Sequence, residues 1–432
     1  MARKQTQLID RVKDFLGKEY LSLEQLYKYL HSHPELSSQE KNTSERIAEE
    51  LRKCGFEVAA WIGGYGVVGL FKNGTGPTIM LRTEMDALPI EEKTGLDYAS
   101  KVRAVDTDGK EAPVMHACGH DIHMTVFIGT ARLLTYLKNH WKGTLVMVAQ
   151  PAEEIGKGAK AMIADGLFTR FPHPDYIMAL HVSSYVPCGK VAYLEEGSAT
   201  ANVDTVEVII RGVGSHTAYP HPAKDTIVIA AQVVLALQTI VRREIYPLHS
   251  AIITVGSIHG GTRSNIIPSE VRLQLDFRYF HHYLRNKIIQ AIKRITRGIA
   301  LASGIPENLM PIVVVNEESS VPGVYNDPEL TRRIAKALEV VLGKENVIES
   351  PSVLSSDDFG QYCKVEPRIP LTIFSLGARD PILHEEDKKV DKPLPDLHSP
   401  YFAPLPEPTI KTGIKAMIAA VLELMKKDGK ER

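Results

Sequence analysis

The chain reads as an α/β protein: a largely parallel mixed sheet flanked by helices, with a smaller α+β domain inserted in it. Two observations predict this. Aliphatic runs of strand length at residues 144–149 and 176–180 alternate with segments of helical periodicity, as expected for strands buried on both faces. Residues 203–315 then read as strand, helix, strand, strand, helix, strand, the order of a compact ferredoxin-like unit. A length of 432 residues independently favours more than one core. The expected boundaries are 1–198 and 319–432 for the two parts of the main domain and 199–318 for the insertion.

In chain order, Ser22 followed by Gln25 has the form of a capping box before an apolar-periodic run to His31. A helix over 43–54 follows, with Gly55 as its C-terminal cap. Strands are expected at 66–71 and 78–82, separated by the turn-forming Asn73-Gly74-Thr75-Gly76-Pro77. A long helical pattern covers 121–137. The strands at 144–149 and 176–180 come next, the second ending at His181. Composition changes near 197–201. Beyond it lie a half-exposed strand (203–210), a long helix (224–241), strands at 251–255 and 270–279, a helix (282–302) before Gly304, and a strand (310–315). A helix over 328–342, a strand over 371–376 and a helix from about Pro408 return to the first domain. The Pro-rich loop from Pro393 to Pro408 carries His398.

Composition excludes several classes. A net charge of −1 leaves no electrostatic footprint for nucleic acid. Cys54, Cys118, Cys188 and Cys363 are too scattered for a disulfide framework. The first residues carry charges where a signal peptide needs its apolar core. The greasiest stretch, 226–241, is interrupted by Gln232 and Gln238 and is expected to be a buried helix, not a membrane span. The expectation is a cytoplasmic protein without nucleic-acid or membrane partners.

Chemistry concentrates in Met115-His116-Ala117-Cys118-Gly119-His120-Asp121-Ile122-His123. Thiolate and imidazole are preferred ligands of zinc-like cations, and Gly119 permits a turn that aims Cys118 and His120 at one point. The bland alternative is a helix start with incidental histidines. Glu153 and Glu154 follow a buried strand, where adjacent carboxylates repel unless a cation stands between them. One would then ligate while the other acts as general base and acid; otherwise both are solvated in a loop. Cys118/His120 before the helix, and Glu153/Glu154 and His181 after strands, are all expected on the rim beyond the strands' carboxyl ends, where sites gather in open α/β sheets.

Six motifs occur in order: Leu81-Arg-Thr-Glu-Met-Asp-Ala-Leu-Pro-Ile90, Met115-His-Ala-Cys-Gly-His-Asp121, Gln150-Pro-Ala-Glu-Glu154, Gly214-Ser-His-Thr-Ala-Tyr-Pro-His221, Asn265-Ile-Ile-Pro268 and Leu397-His398. Together they resemble the amidohydrolase branch of the aminoacylase/glutamate-carboxypeptidase superfamily of metallopeptidases. That branch includes hippurate hydrolases, N-acyl-amino-acid amidohydrolases, some carboxypeptidases and plant auxin-conjugate hydrolases. The resemblance implies a zinc-peptidase-like catalytic domain holding two divalent ions, with zinc, manganese and cobalt all open. Its implied ligands are Cys118 (bridging), His120, Glu154, His181 and His398, with Glu153 as general base and acid. Asp86 would orient a ligand histidine. The insertion becomes a lid and dimerisation domain in a homodimer or homotetramer. His216 becomes an oxyanion donor, with a turn histidine as the alternative, and Asn265 a contact of the substrate carboxylate, with an Asx-turn as the alternative. Arg278 is a candidate carboxylate clamp or a strand arginine facing solvent.

The expected activity is metal-dependent cleavage of the amide bond of N-acyl amino acids or short peptides, small molecules with a free carboxylate. Rival readings are a metallo-carboxypeptidase or dipeptidase of the same family, and a binding protein on the same scaffold. Departures from the family pattern are Glu84 where Asp is usual, Leu275-Asp-Phe-Arg278 for Gly-Thr-x-Arg, and Ser355-Ser-Asp-Asp-Phe359 for a Glu-Asp-Phe run. The acidic residues of the last support the metal site or cap a helix. His116 and His123 are expected to pack or to support the ligands, and His31 and His33 to be structural.

Overall fold

A computed structural model describes residues 2–106, 109–387 and 395–426, with side chains from Asp10 onward. Pro393 and Leu394, the start of the Pro-rich loop, lie outside the described residues. The chain forms two compact units: Met1–Ala199 with Val324–Ser352 and Asp357–Arg432, and Thr200–Gly323 with Val353–Ser356.

The elements that matter, in order, are α1 (Ala2–Ser32), α2 (Lys41–Lys53), β1 (Glu57–Ile62), β2 (Gly66–Asn73), β3 (Thr78–Glu84), α3 (His120–Tyr136), β4 (Gly143–Gln150), β5 (Tyr176–Pro187) and β6 (Val191–Tyr193). The second unit supplies β7 (Asn202–Arg211), α4 (Thr226–Thr239), β8 (Ala251–Gly260), β9 (Glu270–Tyr279), α5 (His282–Ala302) and β10 (Ile312–Val321). The chain then adds α6 (Pro328–Leu342), β11 (Val347–Glu349), β12 (Leu371–Arg379) and α7 (Pro406–Leu424).

The main unit holds an eight-stranded sheet in the order β1-β2-β4-β3-β5-β12-β6-β11. Its centre, β4-β3-β5-β12, is parallel, and the outer pairs β1/β2, β2/β4 and β12/β6 are antiparallel. The α/β expectation therefore holds. Central strands such as β4 are buried along nearly their whole length, which is why they read as continuous aliphatic runs. Helix α3 is buried from His120 to Ala131 and packs between the sheet, α1 and α7. A Cβ on Gly129 would stand 2.3 Å from Ile414 Cδ1, so glycine there lets α3 and α7 approach without displacing that side chain.

The second unit is a four-stranded antiparallel sheet, β8-β9-β7-β10, with α4 and α5 packed against its core. This is the β-α-β-β-α-β unit expected from the sequence.

Four differences have physical reasons. Ser22 does not open a helix: α1 runs unbroken from Ala2, and Ser22 Oγ instead accepts from Arg132 at 3.0 Å. Strand β5 continues seven residues past Leu180 because β12 keeps pairing with it in parallel register, Ser375 beside His181. Strand β1 has no clear alternation and was not expected; it forms by antiparallel pairing with β2. Helix α4, capped by Asp225, is not buried all round. Ile229, Val233 and Leu237 face the core while Val228 and Leu235 are 51% and 72% exposed. Residues Thr226–Glu244 are long and apolar enough to cross a membrane by length and composition, yet the buried third packs within the unit's own core.

Candidate metal centre and active site

The turn before α3 is dictated by Gly119. Its φ of +78° lies in the left-handed region, and a Cβ there would meet Val182 Cγ2 at 2.6 Å. Only glycine therefore lets Cys118 and His120 flank this turn while β5 passes beside it. Ala152, with φ +52°, similarly turns the chain out of β4 so that Glu153 and Glu154 follow. Its N–H donates to the buried carboxylate of Glu40 at 2.7 Å. His398 also has a left-handed backbone, φ +66°, held by its N–H to the carbonyl of Ala117 at 2.9 Å. Two strained non-glycine residues beside one cluster are what functional sites store.

These turns bring together Cys118, His120, Glu154, His181 and His398. Cys118 Sγ lies 3.5 Å from His181 Nε2 and 3.3 Å from His398 Nε2. His398 Nε2 is 3.5 Å from Glu154 Oε2, and His120 Nε2 is 4.0 Å from Glu154 Oε1. The far nitrogens are tied back: His120 Nδ1 donates to the carbonyl of Asp86 at 2.8 Å and His181 Nδ1 to that of Val182 at 2.8 Å. Each Nε2 lone pair is thereby left for a ligand, the usual arrangement behind metal-binding imidazoles.

Asp86 reaches His120 chiefly through its backbone oxygen, its carboxylate lying 3.5 Å away. The Asp86 carboxylate instead accepts from Ser37 Oγ at 2.7 Å and from the N–H of Glu154 at 2.9 Å, which fixes the glutamate's backbone. Ser37 and Glu40 were not singled out in the sequence, since contacts across the fold leave no local pattern. Behind the cluster, buried Arg82 pairs with Glu84, with Asp357 at 2.9 Å and with Asp358 at 2.9 Å. Asp357 also caps the short helix that follows it through the N–H of Phe359 at 2.9 Å, as the helix-cap reading of the Ser355–Phe359 departure expects. Glu84 continues to His123 Nδ1 at 2.9 Å, and His123 Nε2 accepts from the N–H of Val182 at 2.8 Å. His123 thus pins the backbone next to His181. His116 is buried with neither ring nitrogen paired among the described residues. His31 bonds Asp121 and Glu92, whereas exposed His33 bonds the carbonyl of Tyr29.

The electrostatics call for cations. Burial, then Asp357, Glu154 and Asp358, pushes the Glu153 carboxyl well above the ordinary range. Glu154 is pushed up to about 7 by burial, offset by His120 and reinforced by Asp86. Burial and then the two glutamates raise the Cys118 thiol. His120 Nε2, Glu154 Oε1 and Asp86 Oδ1 are buried without hydrogen-bond partners among the described residues. Buried acceptors of this kind are costly unless a positive charge satisfies them. The donor set, one thiol, three imidazoles and a carboxylate, fits a divalent transition metal.

His216 and Asn265 lie together in the second unit. His216 pairs with Ile266 across a two-residue ladder, and Thr217 N–H donates to the Asn265 carbonyl at 3.2 Å. Both line a hollow of about 640 Å3 and both side chains are exposed. His216 Nδ1 accepts from the N–H of Ala218 at 3.0 Å, which leaves Nε2 as the ring's donor. Arg278 is engaged within its own unit, by Asp276 at 3.0 Å and the Leu354 carbonyl at 2.8 Å.

Peptidase family M20/M25/M40 matches residues 80–399, which span every residue of the cluster. The chain belongs to this family. It is 37% identical over 341 residues to the N-acetyl-L-cysteine deacetylase of Bacillus subtilis, covering 79% of this chain and 77% of that one. It is 35% identical over 377 residues to thermostable carboxypeptidase 1 of Saccharolobus solfataricus, covering 86% and 90%. Among solved structures, a dinuclear metal-binding peptidase of family M20 from Bacillus subtilis superposes with a TM-score of 0.73 at 26% identity, covering 96% of this chain and 100% of that one. This M20 chain is a hydrolase of amide bonds that uses divalent metal, in the amidohydrolase branch.

Proposed function

We propose that this M20 hydrolase releases amino acids from N-acyl amino acids, with Glu153 moving the proton and two divalent ions held by Cys118, His120, Glu154, His181 and His398. The observation that carries the reading is the convergence of those five side chains beside a buried glutamate whose proton is held high. Bound divalent ions supply Lewis acidity toward an amide carbonyl and a neighbouring water. Glu153 takes a proton from the attacking water, and its burial beside Asp357, Glu154 and Asp358 favours the protonated form that results. The water oxygen bonds to the carbonyl carbon, the C–N bond breaks, and Glu153 returns the proton to the departing amine. Asp86 and His123 hold their neighbours still and take no proton themselves.

His216 and Asn265 are assigned to the substrate, as donor to the developing oxyanion and as contact to the free carboxylate. Arg278 is a weaker candidate for that carboxylate, since two of its donors are already engaged. Zinc suits the thiolate best, with manganese and cobalt as rivals. A carboxypeptidase activity is the second reading, favoured by the archaeal relative.

The deciding experiment measures amino-acid release from N-acetyl, N-benzoyl and dipeptide substrates by protein reloaded with zinc, manganese or cobalt. One acyl class should dominate, and Glu153→Gln should lower kcat by about 10²–10⁴ with metal still bound. Full turnover in Glu153→Gln would remove the assignment, and preference for peptides would select the carboxypeptidase reading.

A further inference from the structure

Helices α1, α6 and α7 of the main unit enclose a groove of about 840 Å3 that takes no part in the chemistry above. That volume suits a small organic ligand. Its floor is apolar: Val340 and Val341 on α6, with Ile418 and Leu422 one turn apart on α7. Val340 is 53% exposed, and Val341 and Leu422 are partly exposed over the buried Ile418.

The rim is cationic. Arg332 is paired with Glu195, and Arg333 and Lys426 share Glu423. Lys13, Lys336 and Lys415 line the same groove and make no ion pair among the described residues. Lys415 is half-buried, and burial followed by the like charges of Lys13 and Lys411 holds its ammonium below the usual lysine range. Glu329 is the remaining lining carboxylate, and it acts on Arg332. An apolar floor beside a surplus of uncompensated ammonium groups is complementary to one kind of ligand, a greasy body with an anionic end.

We propose that this groove binds a free long-chain carboxylate, its alkyl chain along Val340, Val341, Ile418 and Leu422 and its carboxylate among Lys13, Lys336 and Lys415. Lys415 has already lost part of its hydration and gains most from a charge-assisted hydrogen bond.

The test is calorimetric titration of the full, metal-loaded chain with dodecanoate below its micelle concentration. Saturable one-to-one binding is expected. The double variant Lys336→Gln/Lys415→Gln should weaken it about tenfold or more, the loss of one charge-assisted hydrogen bond. Val340→Asp should weaken it as well, and both variants should hydrolyse substrate at the unaltered rate. No saturable binding would overturn the proposal, as would equal affinity in the variants or displacement of dodecanoate by an N-acyl amino acid. Binding to anionic phospholipid vesicles without binding of free dodecanoate would overturn it in favour of a membrane surface.

Discussion

At Gly119 a single hydrogen atom in place of a methyl group decides whether the metal cluster can assemble. With φ at +78° and Val182 Cγ2 2.6 Å from any added Cβ, alanine is strained by conformation and by contact together. Gly119→Ala is expected to destabilise the chain by about 1–3 kcal/mol and to weaken metal binding. Denaturant titration and competition against a chromogenic chelator measure the two effects separately, and wild-type values in both would refute the requirement. The residues that converge in the cluster were legible because Cys, His and Glu in short motifs carry their chemistry in their identity. Ser37 and Glu40 were not, and Glu84 and His123 were singled out without the pairing that joins them to Val182. Each acts on the cluster through a partner more than 35 positions away, and such pairing has no local signature.

At the scale of elements, α1 and α4 are instructive because both were misjudged from pattern. Ser22 mimics a helix start, yet the spacing of Val12, Leu16, Leu23 and Leu26 keeps one side of α1 in the core on both sides of it. The end of that helix carries His31, whose imidazolium is raised to about 9: burial lowers it, and hydrogen bonds to Asp121 and then Glu92 outweigh burial. A pKa raised above the ordinary 6.5 means the stabilisation is complete below about pH 6.5 and is lost as pH climbs through about 9. Thermal melts should therefore fall over that interval in the wild type. His31→Asn should start lower near neutrality and show a flatter decline; parallel curves would exclude His31 as the source. In α4, an aliphatic stretch without clear periodicity hid which side faces water. The exposed Val228 and Leu235, with Ile252 and Ile258 exposed on the edge strand β8, support self-association through the second unit. Light scattering should find a dimer or tetramer that Leu235→Asp dissociates, and a monomeric wild type would exclude this interface.

For the whole molecule, the α/β layer and the inserted β-α-β-β-α-β unit were readable because central strands and antiparallel strands differ in period and composition. Strand order was not, since β12 enters the sheet from nearly two hundred residues beyond β5. Metal should act as a global stabiliser, because the ligands proposed for it come from four separate stretches of the main unit. Removing an ion held at a thousandfold excess over its Kd should cost about 4 kcal/mol, seen as a lower Tm that returns on reloading. Loading should also release protons, as the Cys118 thiol and the glutamates give theirs up to the cation. An unbuffered indicator assay detects this, and metal uptake without acidification would contradict the ligand set.

The position of β12 between β5 and β6 sets a timetable for biosynthesis. As the chain leaves the ribosome, Cys118, His120, Glu154 and His181 emerge well before the strand that must slide in beside His181, and before His398. The insertion carries its own core and can compact while the larger sheet still has a gap in its middle. The nascent protein thus spends the translation of some two hundred residues with four of the five proposed ligands made and the fifth, His398, still to come.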